Sequence, residues 1–133
     1  MANVLYPKFK ENLLSGNIDI LTDTIKVALM SSNYSYSASH ENVSSITSNI
    51  VNTPQLLQNI TTTGGVVNAD NVLFENFTGG VVDAVVLYVD SGVEATSYLI
   101  AYISESDVGL PLSPNGGDVE VRWDIGDNKI FKL

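Results

Sequence analysis

The sequence predicts a mainly β fold, a β-sandwich or jelly-roll-like barrel of about seven or eight short antiparallel strands with one short N-terminal helix. From position 55 onward, short segments of alternating or continuous apolar residues follow one another. Glycine-rich turn signals such as Gly64-Gly65, Gly79-Gly80 and Asn115-Gly116 separate these segments. No repeat of about 20 to 50 residues is visible, so a solenoid or propeller is not predicted. Many short strands with such turns are typical of a sandwich or barrel.

A short helix is predicted near the N-terminus. Pro7 fits a first helical turn, where the N–H that proline lacks is not needed. Phe9 and Leu13 are four residues apart and share one face, with Leu14 beside them. Gly16 supplies a signal for the C-terminal end. We therefore expect a helix that packs on the core, rather than one that binds a membrane or a partner.

Seven strands are predicted from their apolar patterns. The nearly continuous apolar run at residues 81–89 is typical of a central strand that is covered on both faces. Residues 118–124 alternate, with Val119, Val121 and Trp123 predicted to point inward and the charged residues outward. The predicted strands cover residues 24–30, 56–63, 71–77, 81–89, 97–104, 118–124 and 129–133. Asp90, Ser91 and Gly92 are expected to form a turn.

A polar stretch dominated by Ser, Asn and Thr covers residues 31–53. We expect a long and partly ordered excursion there, with a short helix near residues 40–46. Loops of this length in compact domains tend to be functional or to contact partners.

The basic residues are confined to the two ends of the chain, and residues 27–121 contain no lysine or arginine. Proteins bind the phosphate backbone of nucleic acids with these two residue types, so direct nucleic-acid binding is not expected. Only 16% of residues are charged, against a usual value of about 25%. The remaining polar surface consists of Ser, Thr, Asn and Gly, which favours a subunit packed among neighbours. The net charge of −9 keeps free subunits apart.

Residues 1–133 fit a single domain of ordinary size. The absence of cysteine excludes disulfide and zinc–thiolate frameworks. The N-terminus lacks the layout of a signal peptide, and the apolar runs are too short to span a bilayer. We therefore expect a soluble protein with no membrane partner.

The residues suited to catalysis are few. His40 is the only histidine, there is no cysteine nucleophile, and no G-x-S-x-G motif or glycine-rich phosphate-binding loop occurs. A Ser-His-Asp triad around His40 depends on geometry that the sequence does not supply. We expect a loop histidine, assign no catalytic or cofactor-binding residue, and predict that the protein is not an enzyme.

Two groups of acidic residues were considered as chemical sites. Asp118 and Glu120 share one face of a strand about 7 Å apart, but charged residues continue along the same face, which is typical of a solvated strand. Other acidic turns contain Asp107, Asp124, Asp127 and Asn128. Calcium takes about six to eight oxygen ligands, the EF-hand spacing is absent, and Asp and Asn are ordinary turn residues. We assign no metal ligand and expect no cofactor.

Several segments resemble a recurrent family of small virion proteins of tailed phages. They are LYPKFKE, LTDTIKVAL and NADNVLF, followed by SYLIAYISESDVGLPLSPNGGDVEVRWD and NKIFKL. Together with the opening segment that contains the first two, they span essentially the whole chain. The resemblance implies a non-enzymatic building block of the virion, assembled in the host cytoplasm. It implies no catalytic or ligand-binding residues.

The resemblance leaves the position in the particle open. A capsid decoration (cement) protein that binds the major capsid protein as a trimer or dimer is the first expectation. A tail-tube or head–tail connector component is the second. A carbohydrate-binding or receptor-binding β module is a third, and its candidate platform is formed by Tyr34 and Tyr36, which alternate in the polar stretch.

Overall fold

The computed structural model of the chain describes residues 4–75, 80–104, 117–123 and 130–132. These ranges contain one α-helix and nine β-strands. In chain order the elements are β1 (Val4–Leu5), α1 (Pro7–Leu14), β2 (Ile25–Ser31), β3 (Ile50–Leu56), β4 (Val66–Val67), β5 (Val72–Phe74), β6 (Val82–Val89), β7 (Leu99–Ile103), β8 (Val119–Val121) and β9 (Phe131–Lys132). The predicted mainly β class and the short helix are confirmed.

Five strands form one antiparallel sheet in the order β1-β7-β6-β2-β3. The long apolar strand β6 lies in the middle, and every residue in it except Asp83 is buried, as predicted for a central strand. Val85 of β6 lies opposite Leu29 of β2 and Ile103 of β7. Because directly opposite residues point to the same face, these three side chains form one aliphatic row across the sheet.

Two ribbons of two strands make up the rest of the described β structure, one formed by β4 and β9 and the other by β5 and β8. Phe74, Trp123 and Ile130 bring the ribbons into the same hydrophobic core as the sheet. Trp123 also holds its ribbon by two hydrogen bonds, from its Nε1 to the Asp70 carbonyl at 2.9 Å and from its backbone N to Asn71 Oδ1 at 3.1 Å. The architecture is sandwich-like and does not close into a barrel.

The predicted alternation around β8 is present in the described residues. Val121 and Trp123 are buried, whereas Glu120 and Arg122 are exposed. Position 124, at the end of this predicted strand, lies outside the described residues.

Helix α1 begins at Pro7 and packs on β7. Phe9 is fully buried, and its ring meets that of Phe131 edge-on at a centroid distance of 5.7 Å. The helix ends where Gly16 adopts a left-handed conformation with φ of +80°. The backbone N of Asn17 then donates to the carbonyl of Asn12 at 2.9 Å. The backbone N of Gly16 also donates to the carbonyl of Leu13, at 3.2 Å. These two bonds form a Schellman motif, as the glycine signal predicts.

The buried face of α1 differs from the prediction in one position. Leu14, expected beside Phe9 and Leu13, is 87% exposed. A helix turns about 100° per residue, so Leu14 lies about 140° around the helix from Phe9. Asn12 takes the buried position instead. Its side chain donates to Glu41 at 3.2 Å and accepts from Asn17 at 3.2 Å, so its polar atoms are satisfied.

The strand predicted at residues 56–63 is wrong. The strand is β3, which ends where the prediction begins and pairs with β2 through Leu29 and Val51. Beyond it the chain turns away at Asn59, where φ is +56°. β3 tolerates Pro54 because it lies at the edge of the sheet, where a missing N–H leaves no neighbouring strand unpaired.

The polar excursion is therefore shorter than predicted, and part of it packs on the core. It contains two 3₁₀ turns, Val43–Ser45 and Thr47–Asn49, and the first lies within the region predicted to form a short helix. Tyr34, Val43 and Ile46 are buried in the core. Because these apolar residues are spaced irregularly among serines and asparagines, no single period marks them in the sequence.

Candidate functional site

Four tyrosines and the histidine form one aromatic group, which we call the tyrosine cluster. Its members are Tyr6, Tyr34, Tyr36, His40 and Tyr102. Tyr6 precedes α1, the next three lie in the polar excursion, and Tyr102 belongs to β7. Ring centroids lie 5.0 Å apart for Tyr6 and Tyr36 and 5.9 Å apart for Tyr34 and Tyr102, distances usual for tilted aromatic packing. The cluster thus joins the excursion to the sheet.

A chain of hydrogen bonds runs through the cluster. The Tyr6 and Tyr34 hydroxyls are 2.6 Å apart, and the Tyr34 hydroxyl is 3.0 Å from His40 Nδ1. If His40 donated from Nδ1 and Tyr34 donated to Tyr6, the Tyr6 proton would have no acceptor among the described residues, although Tyr6 is completely buried. An unpaired buried donor costs about 1–3 kcal/mol. The favoured direction is therefore Tyr6 to Tyr34 to His40 Nδ1, with the His40 proton on Nε2.

The phenols of the cluster are held in their neutral form. Burial, and next the hydrogen bond to Tyr34, raise the pKa of Tyr6 far above its ordinary value. Burial also raises the pKa of Tyr34, although the hydrogen bond from Tyr6 opposes that change. These two hydroxyls therefore stay protonated at neutral pH and act as hydrogen-bonding groups of the core.

The geometry around His40 does not assemble a catalytic triad. Its Nδ1 contacts the Tyr34 hydroxyl, and no carboxylate within the described ranges hydrogen-bonds to the ring. A general base in such a triad needs a serine on one nitrogen and an orienting carboxylate on the other. His40 is thus placed as a packing histidine at the edge of the core.

The aromatic platform proposed for sugar binding is not formed by Tyr34. Only 8% of Tyr34 is exposed, and its hydroxyl is used within the tyrosine cluster. Tyr36 is half-buried and packs on Tyr6. A stacking platform needs an open ring face, so the pair predicted from the sequence does not supply one.

The acidic residues considered as chemical sites fall into two groups. Asp118 and Glu120 are exposed, and Glu120 pairs with Arg122 at 2.5 Å on the same strand face. The described residues hold no group of three or more His, Cys, Asp or Glu side chains placed to bind a metal ion. The other acidic turn residues, Asp107, Asp124, Asp127 and Asn128, lie outside the described residues.

A groove of about 360 Å³ lies beside the edge strand, and we call it the β3 groove. Val43, Ile50 and Pro54 form its apolar lining, and Asp90 and Glu94 are its two acidic residues. The hydroxyl-bearing residues Thr47, Tyr88 and Ser97 also line it. The groove is therefore apolar along β3 and acidic along the connection between β6 and β7.

Of the two acidic residues in the β3 groove, only Asp90 has an ion pair among the described residues. Asp90 accepts from Lys26 at 2.8 Å, and this bond, together with one from the Gly92 backbone, lowers the pKa of Asp90. Glu94 is exposed and has no ion pair among the described residues. Burial, and then the negative charges of Asp90 and Glu94, raise the pKa of Tyr88 to about 12. The groove is thus a net acidic surface at neutral pH.

The outer face of α1 has the opposite character. Lys10 is exposed and lies one turn before Leu14, the most exposed large hydrophobic residue in the described ranges. A second groove, of about 410 Å³, adjoins the end of the helix between Leu13, Leu21 and Phe131. Helix α1 therefore presents a cation and an apolar side chain together at the surface.

The chain shows no significant similarity to a protein-family model, to a curated protein or to a solved structure. Within the described ranges, no helix is long and apolar enough to cross a bilayer. The likeness to phage virion proteins therefore rests on the sequence segments alone.

The tyrosine cluster and the β3 groove were both missed by the sequence analysis. One signal was available for the cluster, because Tyr34 and Tyr36 alternate shortly before the only histidine in an otherwise polar stretch. That signal was interpreted as an exposed platform. No signal marked the groove, since its two walls come from residues about 40 positions apart in the chain.

Proposed function

We propose that the chain is a non-enzymatic structural protein of a tailed-phage virion that decorates the capsid shell. The non-enzymatic part of the proposal rests on the hydrogen bonding of His40, the only histidine in the sequence. His40 is hydrogen-bonded to Tyr34, which is in turn bonded to the buried Tyr6. Because Nδ1 accepts the proton of the Tyr34 hydroxyl, the neutral ring carries its own proton on Nε2 and has no free lone pair with which to act as a general base.

The virion context of the proposal comes from the sequence resemblance, and the distribution of charge supports it. The net charge is −9, and the stretch without lysine or arginine includes the central strand and both walls of the β3 groove. Such a surface repels DNA, which suits a protein outside the packaged genome. It can associate with a protein shell through apolar contacts and through basic patches on the partner.

We expect the protein to bind the major capsid protein as a homo-oligomer, a trimer or a dimer, and to be part of the finished virion. A tail-tube or head–tail connector component is the alternative within the same proposal. The receptor-binding alternative is weakened because Tyr34 is buried and leaves no paired tyrosine platform.

The test is a phage that lacks the gene for this chain. If the protein decorates the shell, tailed particles still form and contain DNA, but their shells break at a lower temperature. Purified protein added back binds these shells and restores their stability. Imaging of the wild-type virion then locates the chain on the outer surface of the capsid.

Two other outcomes lead elsewhere. Failure to form tails, or heads that do not join tails, assigns the chain to the tube or the connector. If purified wild-type particles contain none of the protein, the virion role is wrong.

A further inference from the structure

We propose that the outer face of α1 docks into the β3 groove of a second copy of this chain, in a head-to-tail arrangement. The proposal goes beyond the virion role, because it specifies a contact that the purified protein makes on its own. Lys10 and Leu14 of one copy are the two side chains that enter the groove of the other.

The helix side of the contact is a cation next to an apolar side chain. Leu14 is 87% exposed, and its burial by a partner removes most of that apolar surface from water. Lys10 lies four residues earlier, so both side chains project from the same side of the helix. The helix is held firmly at its other face by the fully buried Phe9, so the contact needs no rearrangement of α1.

The side chain of Lys10 has no ion pair among the described residues, whereas three other basic side chains do. Lys8 pairs with Glu11 at 3.4 Å, Lys26 with Asp90, and Arg122 with Glu120. A cation with no ion pair among the described residues, beside a leucine that is largely exposed, is complementary to a groove that is both apolar and acidic.

The groove side of the contact has the matching chemistry. The apolar wall formed by Val43, Ile50 and Pro54 suits a leucine. Glu94, which has no ion pair in the part of the chain that the structure describes, offers its carboxylate to a lysine. The groove volume of about 360 Å³ is larger than one leucine side chain requires. A side chain that fills a desolvated pocket contributes more to the binding free energy than a charge pair at the exposed rim does.

Charge complementarity favours a second copy as the occupant. The chain as a whole is strongly acidic, so two copies repel one another in most orientations. The orientation that brings Lys10 against Glu94 pairs a cation and a carboxylate that have no ion pair among the described residues of one copy. One copy therefore supplies the basic helix face, and another copy supplies the acidic groove that it fits.

The two surfaces face different ways on one copy. Asn12, on the buried side of α1, donates to Glu41, two residues before Val43 of the groove, at 3.2 Å. Lys10 and Leu14 each lie about 160° around the helix from Asn12, so they point away from the groove of their own copy. A contact between two different surfaces is heterologous, so it generates a ring if the rotation closes and a filament if it does not.

The test measures self-association of the purified protein by sedimentation velocity across a wide range of concentration, at low and high salt. We expect the wild type to associate with increasing concentration, and less so as salt screens the charge pair. Lys10→Glu and Glu94→Lys each weaken association by about fivefold, and the double variant restores it. Leu14→Ser weakens it by about tenfold or more, because an apolar side chain no longer fills the groove.

Matched controls come from other exposed positions. Glu75→Lys makes the same charge change as Glu94→Lys at an exposed residue that does not line the groove. Leu73→Ser changes a leucine that is 45% exposed on β5. Both controls should associate as the wild type does. All five substituted side chains lie at the surface, and far-ultraviolet circular dichroism verifies that each variant is folded.

Three results would overturn the proposal. The first is a wild-type protein that remains monomeric at its highest soluble concentration. The second is association that Lys10→Glu and Leu14→Ser leave unchanged, which would assign the contact to another surface such as the groove at Leu21. The third is a Lys10→Glu, Glu94→Lys double variant that associates no better than its single parents. Each of these can occur whether or not the protein is found on capsids.

Discussion

The hydroxyl of Tyr6 lies 2.6 Å from the hydroxyl of Tyr34, and both side chains are buried. This one bond connects the segment that leads into α1 with the polar excursion, 28 residues further along the chain. Because Tyr34 also reaches His40, its hydroxyl is the middle of the hydrogen-bond chain. Loss of the Tyr34 hydroxyl therefore removes a hydrogen bond from both Tyr6 and His40.

Tyr34→Phe should destabilise the protein by about 1–3 kcal/mol, since it leaves the fully buried Tyr6 hydroxyl without a partner. Tyr6→Phe should cost only about 1 kcal/mol, because Tyr34 can still donate to His40. The double variant should be no less stable than Tyr34→Phe alone, as it removes the orphaned hydroxyl as well. Urea unfolding followed by the fluorescence of Trp123 measures all three.

The control for this series is Tyr98→Phe, because the half-buried Tyr98 makes no side-chain hydrogen bond among the described residues. It should unfold within about 0.5 kcal/mol of the wild type. Equal costs for the Tyr6 and Tyr34 variants, with additivity in the double variant, would contradict the hydrogen-bond chain.

Ile46→Ala tests whether the polar excursion is part of the fold. Ile46 is completely buried, so the truncation should lower the free energy of unfolding by about 2–5 kcal/mol through lost burial and a residual cavity. Val93→Ala is the control, because Val93 is 57% exposed and its truncation should cost little. A change at Ile46 no larger than the one at Val93 would mean that the excursion does not pack on the core in solution.

Gly16→Ala tests the end of α1. Nothing lies within 4 Å of a Cβ added at Gly16, so the cost comes from the backbone, which has a φ of +80°. An L-residue in this conformation is disfavoured by about 1–2 kcal/mol. Gly80→Ala also meets open space, but it has no positive φ and should be close to neutral. Thermal unfolding of the two variants compares them directly, and equal melting temperatures would rule out strain at Gly16.

The ion pair between Lys26 and Asp90 should make the stability of the fold depend on pH in the acidic range. The pKa of Asp90 is lowered in the folded protein, so its pairing stabilises the fold in full above the ordinary pKa of 3.8. That contribution is lost as the pH falls through 3.8 toward the lowered value. Between about pH 6 and about pH 3, the wild type should therefore lose up to about 1 kcal/mol more stability than Asp90→Asn does.

Urea unfolding at a series of pH values measures this difference. Glu75→Gln removes an exposed carboxylate that has no ion pair among the described residues, and it should follow the wild-type pH profile. Profiles for Asp90→Asn and the wild type that run parallel down to the acid limit would show that the pair adds no stability.

Sequence patterns predicted α1, β2, β6 and β7 well because the signals for these elements are local. Pro7 and Gly16 mark the two ends of the helix, and the apolar run that became β6 is long enough to require a central position. The two-residue strands β1 and β4 were not predicted. Each is too short to show a period, and each exists only because a distant strand pairs with it.

The edge strand shows where local patterns fail. The stretch after Leu56 has a more strand-like composition than the stretch around Pro54, yet β3 contains Pro54. The register with β2 decides the outcome, since Leu29 and Met30 pair with Val51 and Ile50. Pro54 is tolerated because β3 is an edge strand. No residue near Pro54 indicates that this strand lies at an edge.

Residue type and short-range period were enough to predict the mainly β class, the extent of the helix, the central strand and the separation of basic ends from an acidic middle. Two features depend on the packed chain instead: Tyr34 bonds to both Tyr6 and His40, and Leu14 faces solvent next to Lys10. Both have the same cause. Which side chains are buried or hydrogen-bonded together depends on how the chain packs. Contacts between residues far apart in sequence leave no local pattern from which they could be predicted.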